Sequence, residues 1–377
     1  MVYTSTSMKP SRRSPRRKHP WAWLAAVACI GQIAACKSAS STSTPFLELE
    51  QRTRSGEIPN IHSVLVLQHG KTLAEWYLAG DDSERGRALG TVNHDPTTLH
   101  DARSISKSVV SLLFGIAVSD RVVKSLDAPV LDHFPEYADL RTPDRLKIRL
   151  RDLLSMTMGV AWDEESAPYG DLRNNDTAMD MAPDRYRYAL ERPIVAPPGE
   201  KFQYSGACTA LAAAILARAT GVPLDVYAQQ KLWEPLGVTK QVWLKDEKGV
   251  PIAASGLRLT PRDMGKIGQM ILDHGRWNGQ QVVPVAWIDD ATALHAQMDP
   301  DPKCGWGYGY HFWRSPGCIV TPPTPLVMAA GYGGQRIWMV PSRDLVVVVT
   351  AGNYERRDQS KISSSVLTGV LAIVPAP

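Results

Sequence analysis

Cysteine is scarce in this chain: five residues in 377, which fits an exported protein only loosely. No group of His, Cys and Asp residues has metal-ligand spacing, so neither a metal nor any other cofactor is expected. Long apolar runs are missing too. The most apolar early segment, Trp21–Ala35, has fifteen residues and is too short to cross a membrane comfortably as a helix. Acidic residues are absent from the first 35 positions, which hold six cations: Lys9, Arg12, Arg13, Arg16, Arg17 and Lys18. The formal charge of +4 therefore resides in the leader, and the remainder carries −2. No basic surface is left that would imply a nucleic-acid partner. Internal repeats are absent, and low complexity is confined to the Ser/Thr-rich stretch Lys37–Pro45.

A basic start followed by a short apolar run is the layout of a secretory signal. The run ends in Ile33-Ala-Ala-Cys36, which resembles a bacterial lipobox and makes Cys36 the expected site of lipidation. Ordinary cleavage nearby, or an uncleaved anchor, are the competing readings. The expected domains are a signal peptide over 1–36, a flexible tether over 37–55 and a catalytic body over 56–377. The chain would then face the periplasm as a lipoprotein of the cell envelope, with Lys37 favouring the outer membrane.

What is present is chemistry suited to acyl transfer. Ser104-Ile-Ser-Lys107 is the one Ser-x-x-Lys tetrad, and it opens a predicted helix over 102–118 with Ile105, Val109, Leu112, Leu113 and Ile116 on one face. Three residues apart on a helix, the Lys107 amine can reach the Ser104 hydroxyl. The first-turn N–H groups would favour developing negative charge. By itself the tetrad also suits a solvated Ser and Lys at a helix start. Downstream, Pro198-Gly-Glu-Lys-Phe-Gln-Tyr204-Ser-Gly206 leads into an apolar helix over 207–220. Ala329-Ala-Gly331-Tyr-Gly-Gly-Gln335 precedes a β-run over 345–350.

These three segments, in this order, resemble the serine β-lactamase and penicillin-binding-protein superfamily, and more narrowly its class C-related hydrolases, which include carboxylesterases and 6-aminohexanoate-dimer hydrolase. Ser125-Leu-Asp-Ala-Pro-Val, Leu153-Leu-Ser-Met-Thr-Met-Gly159, Gly256-Leu-Arg-Leu-Thr-Pro-Arg-Asp263 and Trp277-Asn-Gly-Gln-Gln-Val-Val-Pro284 extend the resemblance over about residues 60 to 365. It implies an α/β (α+β) fold: a central antiparallel sheet flanked by helices, built from both ends of the chain (about 56–125 and 255–377). A helical part over about 126–254 would be inserted between them.

The resemblance assigns Ser104 as nucleophile, Lys107 as base, provided burial or nearby positive charge lowers its pKa, and Tyr204 as proton relay. The backbone N–H groups of Ser104 and Tyr332 would form the oxyanion hole, with Gly331 and Gly333 allowing close approach of substrate. Gly206 stands where the family motif has Asn, and Ala329 where it has Lys or His. Both changes remove groups that would recognise an anionic β-lactam. An exported hydrolase of small esters or linear amides is therefore favoured. A β-lactamase or D-alanyl-D-alanine carboxypeptidase of the same fold, and a catalytically silent binding lipoprotein, are the alternatives. Trp162, Tyr169, Trp306 and Trp313 are candidates to line the acyl pocket or to be core aromatics. The acidic run Asp163–Glu165 reads as a solvated loop face. Cys208 reads as a small buried residue. Cys304 and Cys318, flanking a predicted strand over 306–313, would either pair in an oxidising compartment or remain free.

Overall fold

A computed structural model describes residues 44–298, 305–318 and 323–376. The signal segment, Cys36 and Cys304 lie outside the described residues. Helix α1 (Leu47–Arg54) precedes strands β1 (Ile61–Gln68) and β2 (Lys71–Tyr77), the hairpin β3 (Ala79–Glu84) and β4 (Arg87–Asn93), and the short β5 (His100–Asp101). Helix α2 (Ile105–Ser119) follows. The middle of the chain holds α3 (Leu150–Leu154), α4 (Asn175–Met181), α5 (Arg185–Glu191), α6 (Gly206–Thr220), α7 (Leu224–Ala228) and α8 (Glu234–Leu236). Next come β6 (Gln241–Trp243), β7 (Leu257–Leu259), α9 (Pro261–Leu272), β8 (Arg276–Trp277), β9 (Gln280–Gln281), α10 (Val285–Ala291) and β10 (Ala296–Gln297). The last stretch supplies β11 (Gly307–Tyr308), β12 (Trp313–Ser315), β13 (Leu326–Gly331), β14 (Gln335–Val340), β15 (Leu345–Ala351) and α11 (Gln359–Ile373).

Eight strands form one antiparallel sheet in the order β10-β11-β12-β13-β14-β15-β1-β2. The pairing of β1 with β15 brings both ends of the chain into it. Period-2 alternation explains why the buried run Leu345–Ala351 serves two cores. Val346 and Val348 face the helical side with α2, α6 and α9, whereas Leu345, Val347, Val349 and Ala351 pack with α1 and α11. The same switch occurs in β14, where Ile337 and Met339 face the helical side and Trp338 the other.

Helix α2 lies inside the helical-side core, with every residue from Ile105 to Ala117 buried. Its start, at Ser104, follows the segment that meets the end of β13 at Gly331. Thr260 caps α9, accepting the Asp263 N–H, with Pro261 in the first turn, as the sequence predicts.

Two expectations need correction, and one element was missed. The tether does not extend to residue 55: Phe46 and Leu49 are buried in the second core, so residues from Phe46 onward belong to the folded body. The predicted strand 306–313 is two short strands, because the Gly309 N–H turns back to Phe312 O at 2.8 Å. The β3–β4 hairpin was not foreseen, since its mostly exposed strands lack apolar alternation. Among the described residues no single helix is long and apolar enough to cross a membrane.

Candidate active site

Ser104 is the N-cap of α2, yet its side chain makes no capping hydrogen bond. Its Oγ instead accepts from Lys107 Nζ at 3.0 Å, one helical turn away. Lys107 is buried and also donates to Ala254 O at 3.1 Å, which holds the ammonium beside the hydroxyl. The third group arrives on the loop before α6, anchored where the Gln203 N–H donates to Met156 O at 2.8 Å. From that loop the Tyr204 ring comes up beside the pair, its centroid 5.0 Å from Lys107 Nζ. The phenol ring stacks on Trp313 at 5.5 Å and meets Tyr308 edge-on. Hydroxyl, amine and phenol therefore meet in one place, though they are separated by up to 100 positions in sequence.

The end of β13 closes the site from the sheet side. A Cβ on Gly331 would sit 2.3 Å from Ala102 O, so glycine there lets the strand touch the segment that carries the serine. This places the backbone around Gly331 and Tyr332 next to Ser104. The Ser104 N–H makes no backbone hydrogen bond among the described residues, leaving a donor for an oxyanion. Arg336 pins the same strand by donating to Gly331 O at 2.9 Å. Arg103, at φ 51°, sets its guanidinium over the rings of Tyr332 and Tyr354. At Gly333 the φ of +88° and the Tyr354 ring, 2.4 Å from where a Cβ would sit, leave no room for a side chain. Gly333 thus sits in the tight turn that joins β13 to β14.

Two carboxylates complete the site, and they change its electrostatics. Glu164 is buried, accepting from Trp162 Nε1 at 2.8 Å and from the Gly206 N–H at 2.7 Å. The acidic run is thus not a uniformly solvated face. Asp163 organises its turn by accepting the Glu165 and Ser166 N–H groups, while Glu164 points inward. Asp176, in the first turn of α4, occupies the space beside Gly206: a Cβ there would lie 1.8 Å from its Oδ1. The missing motif side chain has been replaced by a carboxylate from another helix. Burial, and then the charge of Glu164, push the Asp176 carboxyl up to about 6.

Lys107 departs from expectation. Burial pulls its ammonium down, but Tyr204, Glu164 and Asp176 outweigh that pull and raise its pKa overall. Burial raises the Tyr204 phenol as well, against the opposing Lys107 charge. This direction is opposite to the one a neutral lysine base requires.

The aromatic candidates divide. Trp313 stacks on Tyr204, and Tyr169 packs edge-on against Tyr332 at 5.3 Å, so both border the site. Trp162 is buried and orients Glu164. Trp306 touches Trp313 from outside and belongs to the second core. Ala329 is buried within β13. Cys208 is buried and free, whereas Cys318 is disulfide-bonded.

The family profile described as Beta-lactamase matches residues 49–363. The chain belongs to the beta-lactamase family. It is 27% identical over 320 residues to 6-aminohexanoate-dimer hydrolase of Paenarthrobacter ureafaciens, covering 81% of this chain and 75% of that protein. Among solved structures it resembles EstCE1, a hydrolase with promiscuous acyltransferase activity, with a TM-score of 0.66 and 17% identity over 85% of this chain and 97% of that one. It also resembles the octameric penicillin-binding protein homologue from Pyrococcus abyssi, with a TM-score of 0.61 and 20% identity over 86% and 76% of the two chains. The protein is a beta-lactamase-fold hydrolase.

Proposed function

We propose that this protein is an exported, lipid-anchored serine hydrolase that cleaves small esters or linear amides through an acyl-enzyme on Ser104. The observation that carries this reading is the Lys107 Nζ to Ser104 Oγ contact of 3.0 Å with the Tyr204 ring beside both, 5.0 Å from Lys107 Nζ. The reactive form is the Lys107–Tyr204 pair after loss of one proton, written equally as amine with phenol or ammonium with phenolate. As Ser104 Oγ bonds to the substrate carbonyl carbon, its proton passes to that pair. The carbonyl oxygen takes the negative charge and lies against the N–H groups of Ser104 and Tyr332. Collapse breaks the ester or amide bond, and the leaving oxygen or nitrogen collects the proton. Water then repeats the sequence on the acyl-enzyme, returning Ser104 and releasing the acid.

Substrate charge is argued from the carboxylates. Glu164 and Asp176 sit beside the reacting groups, while the nearby guanidinium of Arg336 is engaged with Gly331 O, Gln335 O and Ser360. Arg103 lies 3.8 Å from Asp101. Such a site disfavours a carboxylate-bearing β-lactam and suits neutral or amine-bearing acyl groups. The activity of the 6-aminohexanoate-dimer hydrolase relative fits that preference.

The test uses the body without residues 1–36, with a fluorophosphonate probe, p-nitrophenyl esters, linear amides and a chromogenic cephalosporin. Ser104→Ala should abolish labelling and turnover with the fold retained. Lys107→Ala should lose a comparable factor, because the pair acts as a unit. Labelling that survives Ser104→Ala, or cephalosporin cleavage outpacing every ester and amide, would refute the proposal.

A further inference from the structure

Four side chains remote from one another in sequence converge on the far side of the segment leading to Ser104. His62 lies on β1, Asp82 on β3, His94 just after β4 and His100 on β5. They tie together strands of three separate sheets. One ligating atom from each lies within 4.8 Å of all the others. The four side chains are no more than 3% exposed.

The direction of each ring is fixed from behind. The His94 Nδ1–H donates to Leu78 O at 2.9 Å, and the His100 Nδ1–H donates to Asp101 O at 3.2 Å. Carbonyl oxygens only accept, so these contacts place the protons on Nδ1 and leave the Nε2 lone pairs facing inward. For His62 the outer contact is Nε2 to Asn60 Oδ1 at 3.1 Å. The Asn60 amide cannot be turned round, because its Nδ2 donates to Asp81 O at 3.1 Å. His62 therefore carries its proton on Nε2 and directs the Nδ1 lone pair inward.

Three imidazole lone pairs and a carboxylate then face one point with no hydrogen to share. His62 Nδ1 and His100 Nε2 are 2.8 Å apart, and Asp82 oxygens lie 3.4 Å from His94 Nε2 and 3.5 Å from His100 Nε2. The His62 Nδ1 to Asp82 Oδ1 distance is 4.0 Å. Ligands at about 2.0–2.2 Å from a tetrahedral zinc lie roughly 3.3–3.6 Å from each other, the middle of this range. The ion pairs of Asp82 among the described residues are with these histidines, so its buried charge has no lysine or arginine partner. Glycine makes the space: a Cβ on Gly80 would sit 2.5 Å from Asn60 Oδ1, and one on Gly352 would sit 2.7 Å from His62 Cε1.

We infer that His62, Asp82, His94 and His100 form a closed, four-coordinate structural site for a divalent transition metal, zinc by preference. Nitrogen-rich ligation with one carboxylate suits zinc over magnesium or calcium, which take oxygen. Outer acceptors on every imidazole are the second shell such a site needs. The site would staple the β3–β4 hairpin and β5 to the main sheet. His100 is four residues before the nucleophile, and its neighbour Asp101 accepts the Arg85 N–H and pairs with Arg258 at 2.9 Å. The metal thus anchors the strand that delivers Ser104 without touching the reacting groups.

The test is metal content of the full chain, made in zinc-supplemented medium and dialysed extensively against metal-free buffer. One zinc per chain is expected, equally in Ser104→Ala, which separates this site from the hydrolase assignment. Exchange of zinc for cobalt should give the strong visible absorption of four-coordinate Co²⁺, a readout that needs no variant. Asn60→Ala, which removes one outer acceptor, should weaken zinc binding about 10–100-fold, and His94→Ala should lose stoichiometric zinc. A wild-type protein that retains only trace metal overturns the inference. So does retention of full zinc with an unchanged cobalt spectrum in a folded His94→Ala/His100→Ala protein.

Discussion

At the scale of single residues, the decisive contact joins Lys107 to Ser104, and the charges around that lysine raise its pKa. Asp176 is one cause of the raised Lys107 pKa, acting after Tyr204 and Glu164 among the charges. Activity that needs a deprotonated Lys107–Tyr204 pair rises with pH, and negative neighbours move that rise to higher pH. Asp176→Asn removes one such charge, so the rise in kcat/KM should move to lower pH, with a severalfold gain near neutrality. A pH profile on an uncharged p-nitrophenyl ester, which offers no amine for Asp176 to bind, would check this. A profile that stays put, or moves upward, would show that Asp176 does not tune the pair. Asp176 escaped the sequence reading because an aspartate in the first turn of a short helix is ordinary. The one trace of it was the glycine at 206, where a side chain had been given up.

At the scale of elements, the site depends on how closely a strand end meets a helix start. Helix α2 was legible from its apolar face, and the glycine-rich turn that ends strand β13 from its motif. Their 2.3 Å limit between a Gly331 Cβ and Ala102 O was not, since it depends on packing. Gly331→Ala forces a methyl group against a backbone oxygen that has no flexible end to swing away. The strand should back off from Ser104, and kcat should fall about 10²–10³-fold, the loss typical of removing one oxyanion donor. Thermal unfolding measured alongside would distinguish displacement of the strand from collapse of the fold. Wild-type kcat in a folded Gly331→Ala protein would remove the Tyr332 N–H from the oxyanion hole.

For the whole molecule, the fold joins both ends of the chain in one sheet and places the helical insertion over one face. If Cys36 carries lipid, Cys36→Ser should move the protein from the membrane fraction to the soluble one. Unchanged fractionation on immunoblots would argue for ordinary cleavage or an uncleaved anchor.

Sequence by itself determined the elements with strong periodicity and the family, and it singled out Ser104, Lys107 and Tyr204 as candidates, because these lie in contiguous segments with local rules of spacing. Helix α9 with its Thr260 cap and Pro261 belongs to the same class of local information. Only the tertiary structure decided which charges surround the serine, because Glu164 and Asp176 reach it from separate segments of the helical part. It alone assembled His62, Asp82, His94 and His100, whose separations follow from strand pairing and carry no ligand spacing. The physical reason is common to both: local periodicity is written in neighbours along the chain, whereas electrostatic environment and ligand geometry arise from groups that become neighbours only on folding.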